Sequence, residues 1–187
     1  RVATDPRGRV LVTEGAEVNH PLFVNPTYTS FGQMAPGNID DFNGGYTLIV
    51  PAVPKKAAAP SSTGLGPIGI AVSGSMIYND NEGPNIPLDD AAPSLDFNGA
   101  HTGPQSYHYH LEPLAFSDDD DNLIGIISDG FFLFGRKCTA TGTYPNDLDE
   151  SGGHVSATKY NMQTELYLNR YYILFPGNYQ GSPNAIH

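Results

Sequence analysis

Short apolar runs bounded by glycine, proline, asparagine and aspartate set the pattern of this chain. Residues 9–15 have the β-branched content of a strand and end at a glycine, and Tyr46-Thr47-Leu48-Ile49-Val50 predicts another strand. Residues 19–30 predict strand, turn and strand, with His20 as a turn residue before Pro21. Ile68-Gly69-Ile70-Ala71-Val72-Ser73-Gly74-Ser75-Met76-Ile77-Tyr78 predicts a hairpin. Ile124-Gly125-Ile126-Ile127-Ser128-Asp129-Gly130-Phe131-Phe132-Leu133-Phe134 repeats it, sharing Ile-Gly-Ile and a turn glycine followed by an apolar strand. The most regular alternation is Tyr107-His108-Tyr109-His110, which on a strand sends both tyrosines to one face and both imidazoles to the other.

A second internal match aligns Leu95-Asp96-Phe97-Asn98-Gly99-Ala100-His101 with Leu148-Asp149-Glu150-Ser151-Gly152-Gly153-His154, so that His101 and His154 hold related positions. Repeats covering about residues 66–110 and 122–175 predict a β core with pseudo-twofold symmetry. In the second repeat, Leu166-Tyr167-Leu168-Asn169-Arg170-Tyr171-Tyr172-Ile173-Leu174-Phe175 is aligned with the Tyr-His strand, and it keeps tyrosines without histidines. The expected fold is all-β, a β-sandwich with an immunoglobulin-like form as its sharpest version. Residues 19–187 make one domain, residues 1–18 an N-terminal arm, and the Pro-, Ala- and Ser-rich stretch 51–67 a linker-like excursion.

Composition narrows the function classes. A chain of 187 residues suits one core. Nine Lys and Arg against twenty Asp and Glu give a net charge of −11. That charge argues against nucleic acid or an anionic membrane surface and favours cations as partners. No run resembles a transmembrane span. The chain begins at Arg1 without methionine, which reads as an exported product after leader removal, although an arbitrary chain boundary would look the same. Cys138 is the single cysteine, which excludes an internal disulfide; beside Phe131-Phe132-Leu133-Phe134 it reads as a buried thiol.

Candidate chemistry centres on histidine. His108 and His110 on one strand face, with His101 arriving from the preceding segment and His154 from the second repeat, have the makings of a Zn or Cu site. A polar ladder, with imidazoles bonded to loop carbonyls, explains the same pattern. Asp96 and Asp149, and Tyr107 and Tyr109, are candidates to support the ligands, with loop bracing as the alternative for the two aspartates. Asp118-Asp119-Asp120-Asp121 can offer carboxylates to Ca, as can Asp40, Asp41 and Asn43 or Asn79-Asp80-Asn81-Glu82-Gly83, although acidic clusters of this kind also serve as solvated turns. There is no Gly-x-Ser-x-Gly elbow, phosphate loop or Cys-His signature, so nucleophilic catalysis has no support. Val10, Leu11 and Val12 of the arm suit either an edge strand on their own sheet or a donor strand inserted into a neighbouring copy.

The Tyr107-His108-Tyr109-His110 motif, the Leu-Asp-x-x-Gly-x-His segment before it, Ile-Ser-Asp-Gly-Phe at 127–131 and Leu-Asp-Glu at 148–150 together resemble the YHYH-domain proteins over roughly residues 66–172. The resemblance implies an exported β domain and assigns no activity. Asn98, Ser151 and the histidine-free stretch 166–172 depart from the cysteines and second Tyr/His strand of relatives, which argues against a disulfide-braced or two-centred site. The resulting expectation is a structural subunit of an extracellular or cell-surface filament, joined to its own kind through the arm. The alternative is a secreted metal-dependent enzyme, or a metal- or glycan-binding module, using His101, His108 and His110.

Overall fold

The computed structural model describes residues 2–4, 10–12, 46–88, 95, 99–102, 107–111, 113, 122–135, 137–138, 140–156, 159–163, 165–167, 171–173 and 178–187. The strand–turn–strand at 19–30, the loop at 35–45, Asp96 and Asp118 to Asp121 therefore lie outside the described residues.

Among the described residues every named element is a strand. β1 (Val2–Thr4), β2 (Val10–Val12) and β3 (Thr47–Leu48) form an antiparallel three-stranded sheet. β4 (Ser61–Ser62) pairs with β17 (Asn178–Tyr179), β7 (Asn81–Gly83) with β8 (Ile86–Pro87), and β15 (Glu165–Tyr167) with β16 (Tyr171–Ile173). The main sheet contains β5 (Gly69–Ala71), β6 (Met76–Ile77), β9 (Ala100–Thr102), β10 (Tyr107–Tyr109), β11 (Leu123–Ile127), β12 (Phe132–Phe134), β13 (Gly153–Ser156) and β14 (Lys159–Gln163). Its order is β13-β14-β12-β11-β5-β6-β10-β9.

This order reads the same from both ends. Ile70 and Ile126 face each other at the centre, β5 and β11 each run into a hairpin partner, and β10 and β14 lie parallel to β6 and β12. The two hairpin turns are alike. Gly74 N donates to Ala71 O and Ala71 N to Ser75 O, while Gly130 N donates to Ile127 O and Ile127 N to Phe131 O. Each is a three-residue loop ending in a glycine with positive φ, +113° at Gly74 and +92° at Gly130. The repeated Ile-Gly-Ile has a packing cause at the sheet's centre: a Cβ on Gly69 would lie 2.7 Å from Ile126 O, and one on Gly125 2.4 Å from Ile70 O.

The registers correct the sequence alignment of the second repeat. Leu133 pairs with Met162 as Ile77 pairs with Tyr109, so Tyr160-Asn161-Met162-Gln163 takes the place of Tyr107-His108-Tyr109-His110. The stretch 166–175 instead contributes β15 and β16 to a separate ribbon. Residue identity misled the alignment because only one tyrosine survives in β14. The two parallel pairs also separate this sheet from the antiparallel immunoglobulin arrangement.

Both faces of the main sheet are covered. One carries Ile68, Ala71, Ile77, Tyr107, Tyr109, Ile124, Ile127 and Leu133 in a single cluster. On the other, Leu48 of β3 packs on Ile70 and Met76, with Tyr78, Ile126 and Ile186 beside them. The 51–67 stretch is not a free linker: Ala57 N donates to Gln180 O, and Ser61 and Ser62 pair with β17. Buried Asp129 clasps this C-terminal segment, accepting from Phe131 N, Gln180 N and Gly181 N at 3.0–3.2 Å. Burial pushes the Asp129 carboxyl up, against those three donors. Cys138 is buried, as expected.

Gly125→Ala is expected to lower stability by about 1–3 kcal/mol, because the new methyl meets backbone that must separate the two central strands. Urea unfolding checks this; an unchanged midpoint would mean that the close approach is not tight.

Candidate metal centre

The Tyr-His alternation becomes a sorting device because β10 is buried on both faces. Tyr107 and Tyr109 enter the apolar cluster, their rings edge to face with centroids 5.8 Å apart. They do not support the ligands, as the sequence had suggested; they stand on the opposite face. His108 and His110 face the other way and are 2% and 1% exposed. His101 lies directly across the β9–β10 ladder from His108, where opposed side chains are near neighbours.

Three imidazoles therefore converge. His101 Nε2 is 3.1 Å from His108 Nε2, which is 3.0 Å from His110 Nε2. His110 Nδ1 lies 2.7 Å from the carbonyl oxygen of Asn79. A carbonyl only accepts, so the proton is on Nδ1 and a neutral His110 directs the lone pair of Nε2 into the cluster. Tyr78 stacks on His108 with centroids 3.8 Å apart and planes 18° from parallel, holding that ring's orientation. Asn79 is itself fixed: its Nδ2 donates to Thr63 Oγ1 and Gly64 O, and its Oδ1 accepts from Asn81 N.

Burial holds the His101 imidazole down at about 4, a shift that Glu82 opposes and His110 reinforces. At neutral pH His101 is thus an uncharged donor, as metal ligation requires. The donor atoms of His101, His108 and His110 lie within 4.8 Å of one another, and this cluster can hold a metal ion.

Glu82 is the residue that sequence reasoning undervalued. Its Oε2 is 3.3 Å from both His101 Nε2 and His110 Nε2. In sequence, Asn79 to Gly83 suits a solvated turn or a calcium loop; the structure brings Glu82 of this segment to the histidines. The only signal in the sequence was an acidic residue just after a predicted hairpin, and that does not reveal direction.

A family model described as YHYH protein matches residues 47–164. The chain belongs to this family. The matched region contains the whole main sheet, the histidine cluster and Glu82, and it excludes β1 and β2. No curated protein and no solved structure matches the chain.

The remaining candidates fall elsewhere. His154 is on β13 and His101 on β9, the two outer strands of the sheet, roughly 30 Å apart at ordinary strand spacing. They do not share one site. In the YHYH sheet, Asn161 faces His154 where His108 faces His101, and Gln163 occupies the register of His110. Among the described residues, His154 has Asp147 3.5 Å from Nδ1 and no hydrogen-bond partner for buried Nε2. Asp149 braces its own loop, as one of its two readings held: Oδ1 accepts from Ser151 N and Gly153 N at 3.0 Å, and Oδ2 meets Lys56 Nζ at 3.2 Å.

The depressed His101 predicts a pH effect in metal-free protein. The unfolded chain takes up this proton near 6.5 and the folded chain only near 4, so stability present above 6.5 is lost as pH falls toward 4. The loss attributable to His101 is up to about 3 kcal/mol. Urea unfolding from pH 7 to pH 4 measures it, and His101→Gln should flatten the slope; an equal slope in the variant would assign the effect to other groups.

Proposed function

We propose that this chain is an extracellular or cell-surface structural β subunit, braced by a transition metal held by His101, His108 and His110. The observation that carries this reading is the convergence of three imidazoles that are 5%, 2% and 1% exposed. Structural metal sites are closed, whereas catalytic ones keep a position open to water and substrate. An ion here would cross-link β9 to the end of β10, and it would fix His110 in the orientation that bonds the Asn79 carbonyl, contributing folding energy instead of chemistry. Imidazole donors suit Zn and Cu.

Assembly into a filament is a second reading, supported by one feature of the sheet order. Among the described strands, β1 and β2 reach the rest of the chain only through β3, by the pairs Val10 with Leu48 and Leu11 with Thr47. Within one chain this is the edge-strand alternative for the arm. The same pairing made with β3 of a second copy is an exchange that joins subunits without new chemistry.

Replacing both His108 and His110 by Asn should abolish stoichiometric Zn and Cu, measured by elemental analysis after dialysis. It should also remove the rise in melting temperature that either metal gives the parent. Unchanged metal content in the double variant would reject the site. For assembly, a chain lacking residues 1–15 should lose any large species seen by light scattering, and a peptide of residues 1–18 should bind the truncated chain; equal particle size with and without the arm would dismiss it.

A further inference from the structure

We infer that Glu82 is the fourth donor of the histidine centre, closing a cage of three imidazoles and one carboxylate that selects a divalent cation over a monovalent one. This rests on the metal reading above and extends it.

The four donor atoms form a closed circuit. Successive separations are 3.1 Å from His101 to His108, 3.0 Å to His110, 3.3 Å to Glu82 Oε2 and 3.3 Å back to His101. Donors about 2.0–2.1 Å from one ion stand about 2.9 Å apart around a square plane and about 3.3 Å apart in a tetrahedron. Each side of the circuit is close to one of these values, but only the three histidine nitrogens lie within 4.8 Å of one another, so an ion seated on them would draw the Glu82 carboxylate inward to bind it.

Proton counting points the same way. The Asn79 carbonyl commits the single proton of a neutral His110 to Nδ1, so the lone pair of Nε2 looks directly at Glu82 Oε2. Two acceptors at this separation repel unless a positive charge lies between them. A glutamate side chain is ordinarily an anion at neutral pH.

Position also favours ligation. Glu82 is on β7, three residues after the carbonyl that orients His110, and the β7–β8 ribbon holds that strand through the pairs Asn81 with Pro87 and Gly83 with Ile86. The same short segment thus orients one ligand and supplies another. Three imidazoles ligating in their neutral form and one carboxylate would carry a single negative charge. A divalent ion is attracted to that charge, and the hard oxygen is a poor donor for soft Cu(I).

The test compares parent, Glu82→Gln and Glu82→Asp by competition titration with Zn(II) and, separately, with Cu(I) under reducing conditions. Glu82→Gln preserves size while removing charge, and the side chain is about one-third exposed, so the metal-free variant should melt no lower than the parent. Zn(II) affinity should fall at least tenfold in Glu82→Gln while Cu(I) affinity stays within about threefold. The d–d absorption of the Co(II)-loaded protein should change with it. Parent-like Zn(II) affinity and an unchanged Co(II) spectrum in Glu82→Gln would overturn the inference and leave the three-histidine site standing. A parent that takes up none of the three metals would reject the metal reading itself, and this inference with it. Equal losses of Zn(II) and Cu(I) would show that Glu82 holds the ligands in place without choosing the charge of the ion.

Discussion

Three imidazole nitrogens and a carboxylate oxygen facing one another inside a protein constitute an electrostatic problem that the surrounding strands must solve. Lone pairs at 3.0–3.3 Å repel unless protons or a cation lie between them. The carbonyl of Asn79 and the ring of Tyr78 hold two of the imidazoles in this arrangement, and the β9–β10 ladder brings the third alongside. On the proposed reading, an ion in the cluster would relieve that repulsion and brace the edge of the sheet.

The near-symmetry of the main sheet sharpens the point. Both halves use the same glycine hairpin and the same parallel third strand, so the backbone offers two equivalent places for a centre. Only one has histidines at all three register positions. The other keeps His154 opposite Asn161, with Gln163 where the third ligand would be, and its buried Nε2 has no hydrogen-bond partner among the described residues. Equal backbones with unequal side chains show that the strand framework does not itself depend on a centre at each end. Apolar packing of Leu133, Ile124 and Ile127 on one side and Ile70 and Met76 on the other supports the framework in both halves.

The periphery is tied down by polar contacts as well as by apolar burial of Leu48 and Tyr179. Asp129 gathers the C-terminal segment through two backbone donors, and the segment expected to be a loose linker lies against that same tail. The arm joins at β3, whose Leu48 packs into the sheet's second face. In the proposed assembly, this arm, attached through one short strand, is the part that would be exchanged between copies.

Local chemistry was enough to read much of this from sequence. The all-β class, both hairpins with their turn glycines, the sorting of tyrosines from histidines on β10, the grouping of His101 with His108 and His110 and the burial of Cys138 all depend on period-two alternation or on residue size and polarity, which each short stretch carries in itself. Register across strands is different, because it is fixed by partners distant in the chain and a misaligned repeat leaves no local trace. That is why β14 was mistaken for a later strand, why His154 was placed with a cluster at the far edge of the sheet, and why Glu82 went unnoticed beside the histidines. Which side chains meet in one small volume was decided only when the strands paired.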